Sequence, residues 1–109
     1  MPPLLPEIAQ EIEEAKKKKR LEYELRPSIQ EKLIGYMGQD KKKGREFDLT
    51  VDYILMLKQI HEGKCALCLI EMQFEWDRPG DISQWIVDRI HNSLGHIKGN
   101  VCLTCLLCN

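Results

Sequence analysis

Two Cys-x-x-Cys pairs constrain this chain more than any other feature of its sequence. The pairs are Cys65/Cys68 and Cys105/Cys108, and both lie within residues 65–109. A gap of two residues lets one tight turn present two sulfurs to the same ion, and four thiolates complete the tetrahedral shell that structural Zn²⁺ prefers. We therefore predict one structural zinc held by these four cysteines. The alternative is two unrelated pairs of buried thiols.

The length of the chain and its cysteine count fit a metal-stabilised protein. The chain has 109 residues and five cysteines, and a segment as short as residues 65–109 seldom folds without a metal or disulfides. No run of about 18 apolar residues predicts a membrane span, and the N-terminus lacks the features of a secretion signal. We expect an intracellular protein that is not secreted, in the cytoplasm or, in a eukaryote, the nucleus, where cysteine pairs favour metal. Cys102, the fifth cysteine, is predicted to be a small buried hydrophobe.

Apolar periodicity and capping signals predict helices ahead of the first cysteine pair. The predicted helices span residues 7–25, 29–37 and 51–61. Pro27 is expected to end the first helix, because the residue before a proline avoids helical geometry. Ser28 is expected to cap the second, and Asp48 or Thr50 the third. Residues 38–47 are predicted to form a charged loop, and the thin apolar face of the first helix predicts a projecting arm.

Short strands are predicted after the first cysteine pair, so the fold class is α+β. Their expected bounds are residues 69–74, 83–88 and 100–103. Trp76 and Trp85 are predicted to cover the core of the cysteine-rich lobe rather than to stack on bases, and Pro79 with Gly80 is predicted to form a turn. Two domains are expected: a helical basic arm and loop over residues 1–47, and a zinc-binding domain over residues 48–109.

Positive charge is concentrated in the front half of the chain. The net charge is −1, which by itself favours no partner. Residues 16–20 and 41–45 are dense basic clusters, whereas few positive side chains follow Cys65. If the protein binds nucleic acid, the front half must therefore supply much of the attraction for phosphates. Solvated helix faces and a charged loop are the alternative interpretation of these clusters.

The residues between the cysteine pairs carry a further pattern. Its parts are Asp88, Arg89, Ile90, His91 and Asn92, then Gly95 and His96, then Gly99, Asn100 and Val101. With the second cysteine pair and Asn109, the pattern resembles the zinc-containing HNH, or ββα-metal, endonucleases, in particular their Asp-Arg-Ile subgroup. Residues 106–109 are similar to the corresponding end of phage recombination endonuclease VII. The resemblance covers residues 48–109 and implies a treble-clef-like ββα-metal lobe that hydrolyses phosphodiester bonds in DNA, including branched or RNA-containing DNA.

The resemblance also implies a second metal site, distinct from the zinc. In that family a hairpin and a helix hold one catalytic divalent ion, Mg²⁺ or Mn²⁺. Asp88 matches the carboxylate ligand at the end of the first strand, and Asn109 matches the second ligand. Carboxylate and amide oxygens are donors that such a hard cation prefers. Asn100 matches the middle asparagine, whose side chain ties the loop and orients the catalytic residue.

Position 89 departs from the family pattern. The family places a histidine there as general base, but Arg89 cannot accept a proton because the pKa of a guanidinium exceeds about 12. Arg89 is expected to bind the scissile phosphate or to stabilise its developing charge. His91 or His96 is the replacement base, with His91 favoured because it is nearer Asp88 in sequence. The alternative for both His91 and His96 is that each is an exposed loop residue or contacts a phosphate.

The end of the sequence leaves the final helix of the family pattern incomplete. One turn after Leu103 cannot make that helix, so the resemblance implies a longer chain, a decayed copy, or completion by a second chain, for example in a homodimer. Three functions remain open: an HNH nuclease, a zinc-stabilised nucleic-acid-binding module without catalysis, and a protein-interaction zinc finger. Only the nuclease requires Asp88 and a second oxygen ligand.

Overall fold

The computed structural model describes residues 5–74 and 81–109. Its elements, in chain order, are α1 (Pro6–Lys43), α2 (Val51–Ile60), β1 (Trp85–Arg89), β2 (Val101–Cys105) and a short 3₁₀ helix (Leu106–Cys108). The predicted α+β class is therefore confirmed, with helices followed by a β-hairpin and four clustered cysteines. Among the described residues, no helix is both long and apolar enough to cross a bilayer.

The predicted break at Pro27 is wrong, because α1 runs through it as one helix of 38 residues. An internal proline costs a helix about 3 kcal/mol. Leu25, Ile29 and Leu33 are buried on one face across this point, and each buried side chain of this kind contributes about 1.5–3 kcal/mol. Tertiary packing thus outweighs the local penalty, while the proline itself is exposed. Ser28 caps no new helix; its hydroxyl donates to the Leu25 carbonyl at 2.9 Å.

The C-terminal end of α1 also differs from expectation, since residues 38–43 are helical rather than a loop. The helix ends at Gly44, whose φ of 68° is the left-handed conformation common after a helix. The Gly44 amide donates to the last turn, to the carbonyls of Asp40 and Lys41. At the other end, no side chain from residue 5 to residue 24 is buried, as expected of a projecting arm.

Helix α2 begins where the capping signal predicted. The Thr50 hydroxyl accepts a hydrogen bond from the Tyr53 amide at 3.2 Å, which satisfies one of the unpaired amides of the first turn. Val51, Ile54 and Leu57 form its buried face. This face packs in one core with the buried residues of α1 and the hairpin.

The two strands form an antiparallel hairpin, β1 against β2. They begin one or two residues later than predicted. Trp85 is 2% exposed and stacks on Phe74 with 5.4 Å between ring centroids, so its predicted core position is confirmed. Trp76, Pro79 and Gly80 lie outside the described residues.

The predicted strand over residues 69–74 does not form. Glu71 and Gln73 make isolated β-bridges only, to Lys64 and Gln84 respectively. Leu69, at the start of the segment, has a φ of 68°. This left-handed conformation is incompatible with an extended strand at that residue, because the chain is still completing the turn of the first cysteine pair.

Three polar side chains of α1, spaced four residues apart, dock the helix against β1 and the loop that follows. The Lys32 ammonium donates to the Trp85 carbonyl. The Tyr36 hydroxyl accepts from the Val87 amide at 3.0 Å. Asp40 contacts the loop between the strands. Because residues four apart share a helix face, this row covers the edge of β1 that does not pair with β2.

Candidate metal centre and adjoining cleft

The four paired cysteines form one cluster, as predicted. The Sγ atoms of Cys65, Cys68, Cys105 and Cys108 all lie within 4.8 Å of one another, and those of Cys68 and Cys105 are 3.6 Å apart. Tetrahedral zinc, with Zn–S bonds of about 2.3 Å, places its sulfurs about 3.8 Å apart. The cluster therefore fits a structural Zn²⁺ at the base of the hairpin.

Backbone amides favour the ionised thiolate of Cys65, which is the form that binds a metal cation. The Cys65 Sγ accepts hydrogen bonds from the amides of Leu67, Cys68 and Cys105 at 3.3–3.5 Å. Burial opposes ionisation of Cys65, but these amides outweigh it and lower the pKa of the thiol to about 6. The neighbouring sulfurs of Cys68 and Cys105 raise the pKa of Cys108 to about 12. Four thiolates this close repel one another, and a divalent cation supplies the charge that lets all of them ionise.

Cys102 stands apart from the cluster, but it is half-buried rather than fully buried as predicted. Side chains alternate along a strand, and its neighbours Val101 and Leu103 face the core. Cys102 lies opposite Asp88 in the hairpin. Burial and, to a smaller extent, the charge of Asp88 raise the pKa of this thiol.

An open cleft of about 340 Å³ lies beside the hairpin. It is lined by Tyr36, Gln39, Ile86, Val87, Asp88, Arg89, Asn92, His96 and Asn109. Asp88, Arg89, His96 and Asn109, all predicted site residues, thus come together from β1, the loop after it and the end of the described chain. Asp88 is half-buried and Asn109 is exposed, so their oxygens are within reach of a ligand in the cleft.

Arg89 is held at the cleft by the loop that follows β1. Its Nη1 donates to the carbonyls of Asn92 at 2.7 Å and Leu94 at 2.9 Å. A guanidinium carries further N–H donors on Nε and Nη2, in a fork that matches the oxygens of a phosphate. Arg89 therefore stabilises the loop through these hydrogen bonds and also places a positive charge at the cleft.

Asn100 ties the two ends of the same loop together. Its side chain is buried, and its Oδ1 accepts from the His91 amide at 2.9 Å. Its Nδ2 donates to the carbonyls of Gly95 at 2.9 Å and His91 at 3.2 Å. Asn100 thus fixes the backbone that leads to His96, and it does not line the cleft itself.

The two candidate histidines have different surroundings. His91 is exposed, and its side chain does not line the cleft. His96 is 4% exposed and does line the cleft. Its Nδ1 lies 2.9 Å from Asp40 Oδ2, and its backbone amide donates to the same oxygen at 2.8 Å. The ring of Tyr36 packs against the imidazole with 4.6 Å between centroids.

Asp40 is a buried carboxylate that the sequence analysis did not identify as part of the site. Burial opposes its ionisation, but the hydrogen bonds from His96 and the charge of Arg45 outweigh it, and the pKa of Asp40 lies below its ordinary value. Arg45 Nε is 3.2 Å from Asp40 Oδ1, an ion pair without hydrogen-bond geometry. The four-residue spacing of Lys32, Tyr36 and Asp40 could have indicated that Asp40 shares a helix face with the other two. The prediction of a loop over residues 38–47 placed Asp40 outside any helix, so this spacing was missed.

Gly95 allows the loop to approach the segment after α1. A Cβ atom at this position would lie 1.9 Å from the Glu46 carbonyl oxygen, far inside any tolerated contact. The same two segments are also joined by a hydrogen bond, in which the Asp48 carboxylate accepts from the Lys98 amide at 2.7 Å. The glycine before His96 is therefore a steric requirement for setting that histidine against Asp40.

Comparison of the chain with protein-family models, curated proteins and solved structures finds no match. The geometry defines a class of site: a four-cysteine cluster able to bind zinc, next to a two-stranded hairpin. The adjoining cleft combines a carboxylate, an amide, a guanidinium and an imidazole. Any assignment of function to the chain rests on these residues.

Proposed function

We propose that this protein is a metal-dependent nuclease of the HNH type that hydrolyses phosphodiester bonds in DNA. One observation carries the proposal: Asp88 and Asn109 line the same cleft as Arg89 and His96. These side chains offer oxygen ligands for a hard cation, a partner for phosphate, and an imidazole for proton transfer. The motif pattern from Asp88 to Asn109 is the additional support.

The donor set at the cleft fits a catalytic divalent ion. Asp88 and Asn109 supply a carboxylate and an amide oxygen, which suit Mg²⁺ or Mn²⁺ better than a soft metal. Such an ion, when bound, would supply positive charge to the scissile phosphate. Arg89 would bind a phosphate oxygen and stabilise the charge that develops on it. Asn100 would keep Arg89 and His96 in position through the loop that it ties.

Helix α1 offers the surface that would attract the DNA backbone. The basic residues 16–20 and Lys41, Lys42 and Lys43 are all exposed. At a rise of 1.5 Å per residue, the centres of the two clusters are about 36 Å apart along the helix. Lys41 to Lys43 lie within about one turn of Gln39, which lines the cleft. This cluster is therefore the one best placed to hold DNA near the proposed site.

Changing Lys41, Lys42 and Lys43 to glutamine is expected to weaken DNA binding for all sequences alike. Each lost phosphate contact lowers the slope of log affinity against log salt by about one unit. Fluorescence anisotropy over a range of salt concentrations measures this slope. The matched variant changes Lys16, Lys17 and Lys18 and reports the contribution of the arm. If neither triple variant alters the slope, α1 does not bind the DNA backbone.

A zinc-stabilised nucleic-acid-binding module without catalysis is the second candidate. It is favoured by the exposed basic clusters, which can bind phosphates without a catalytic site. Plasmid cleavage separates the two candidates. The nuclease predicts nicked or linear product with Mg²⁺ or Mn²⁺ and none when these ions are left out. The binding module predicts a gel shift with intact plasmid under both conditions.

A further inference from the structure

We propose that His96 is the general base of this nuclease and that Asp40, from α1, is the residue that positions it. The inference rests on the proposed function and identifies the group that activates water. A proton of the attacking water passes to Nε2 of His96 while the water oxygen bonds to phosphorus. The bond from phosphorus to one ester oxygen breaks, and this oxygen leaves and takes a proton from solvent. His96 then releases its proton to solvent.

The contact with Asp40 selects the histidine tautomer that a base requires. An ionised carboxylate can only accept hydrogen bonds, so the 2.9 Å contact with Asp40 Oδ2 places the imidazole proton on Nδ1. The lone pair is then on Nε2, the nitrogen that can take a proton from water. A buried aspartate holding an imidazole by Nδ1 is the arrangement that orients the base in serine hydrolases.

Several contacts hold His96 in one orientation at the cleft. The Asp40 oxygen binds both the ring and the backbone amide of His96, which fixes the residue at two points. Tyr36 packs on the ring from α1. A base whose position is fixed before substrate binds loses less freedom during the reaction, and this raises its contribution to the rate.

The alternatives for the base lack these supports. Arg89 cannot accept a proton at any relevant pH. His91 is exposed, and the contacts to Asn100 involve only its backbone. Its nearness to Asp88 in sequence does not bring its side chain into the lining of the cleft.

The variant His96→Asn tests the base with little change in packing. The asparagine amide nitrogen stands close to the position of Nδ1 and can still donate to Asp40, while Nε2 is lost. We expect the single-turnover cleavage rate to fall by about 10²- to 10⁴-fold, with DNA affinity, measured without added Mg²⁺ or Mn²⁺, within about twofold of wild type. His61→Asn is the matched control, because His61 follows α2 and does not line this cleft.

Asp40→Asn tests the positioning residue. Its carbonyl oxygen can still accept from the His96 amide, but the ring is no longer held by a charge. We expect cleavage to fall by about 10-fold or more, with DNA affinity unchanged. If both residues act as one unit, the double variant is no slower than His96→Asn alone. A purely structural role for Asp40 predicts instead a lower melting temperature with the cleavage rate of the folded protein retained.

The outcomes separate this inference from the proposed function. If His96→Asn cleaves at the wild-type rate while His91→Asn does not, His91 is the base, and the nuclease assignment stands. If Asp40→Asn keeps the wild-type rate, Asp40 is not a positioning residue. If the wild-type chain leaves DNA intact in the presence of Mg²⁺ and also in the presence of Mn²⁺, the nuclease proposal is wrong. The assignment of the base then fails with it.

Discussion

Removing zinc is expected to unfold the hairpin and the cleft together. Structural zinc contributes about 10–16 kcal/mol of apparent binding free energy in small domains. This is comparable to the whole stability of a typical domain, about 5–15 kcal/mol. Cys65 and Cys105 are fully buried in the core, so the loss of the ion removes the bonds that would join the two cysteine pairs and leaves buried sulfurs without their metal. The hairpin carries Asp88 and Arg89, and their placement depends on it.

Two substitutions of the same kind test the zinc prediction. Cys65→Ser should reduce bound zinc below one equivalent and remove the cooperative melt of the lobe, as measured by metal analysis and thermal unfolding. Cys102→Ser is the matched control, because Cys102 lies on the hairpin but outside the cluster, and it should keep one equivalent. A metal-free chain that melts as cooperatively and as late as the zinc-loaded one would contradict the structural role.

The features predicted correctly from the sequence were those that local chemistry determines. Two cysteines in one tight turn can present both sulfurs to one metal ion, so the spacing of Cys65 and Cys68 indicated the cluster. Thr50 ahead of an apolar helical pattern indicated the start of α2. The hairpin followed from apolar residues that flank a glycine- and asparagine-rich loop. Each of these signals lies within a few residues of the structure that it predicts.

The largest errors concern α1, where distant packing decides the local structure. Pro27 is a strong local signal for the end of a helix, but the burial of Leu25, Ile29 and Leu33 on one face carries the helix past it. Sequence alone cannot show this, because the partners of that face come from α2 and the hairpin. In residues 38–43, the buried residue is Asp40, which is held by His96 from the loop between the strands.

The candidate site was predictable in part. Asp88, Arg89 and Asn109 belong to one motif, and they line one cleft. The pairing of Asp40 with His96 could not be predicted, because it depends on how α1 lies along β1. Two residues far apart in sequence meet only when Lys32 and Tyr36 have docked the helix on the strand.

This docking brings α1 into the lining of the cleft. Tyr36 and Gln39 line the cleft from α1, while Asp88 and Asn109 line it from the cysteine-rich part. The boundary expected between residues 47 and 48 therefore falls between residues that line one cleft, and the division into two domains stays a prediction. Ahead of Leu25, no described side chain is buried.

Asp88→Asn is expected to slow cleavage strongly while DNA binding persists. The substitution keeps the size of the side chain but removes the charged ligand proposed for the catalytic ion. A bound metal supplies several kcal/mol of transition-state stabilisation, and each 1.36 kcal/mol is tenfold in rate, so the loss should be about 10³-fold. DNA affinity should stay constant or rise slightly, because one negative charge near the phosphates is removed.

Asp52→Asn provides the matched control for that substitution. Asp52 is an exposed carboxylate at the start of α2, paired with Arg26 at 2.8 Å, and it does not line the cleft. Exposed ion pairs of this kind contribute about 0–1 kcal/mol. Its removal should therefore leave both zinc content and cleavage rate unchanged, which separates a general effect of losing a carboxylate from the specific effect at Asp88.

The most direct measurement of the nuclease assignment is the single-turnover cleavage of plasmid DNA by the zinc-loaded chain with Mg²⁺ or Mn²⁺. It compares wild type, Asp88→Asn and Asp52→Asn, each with a reaction without added Mg²⁺ or Mn²⁺ as the blank. The account predicts metal-dependent cleavage by wild type and Asp52→Asn, and about 10³-fold slower cleavage by Asp88→Asn at equal DNA affinity. Cleavage by Asp88→Asn at the wild-type rate, or intact plasmid with wild type in either metal, would contradict it.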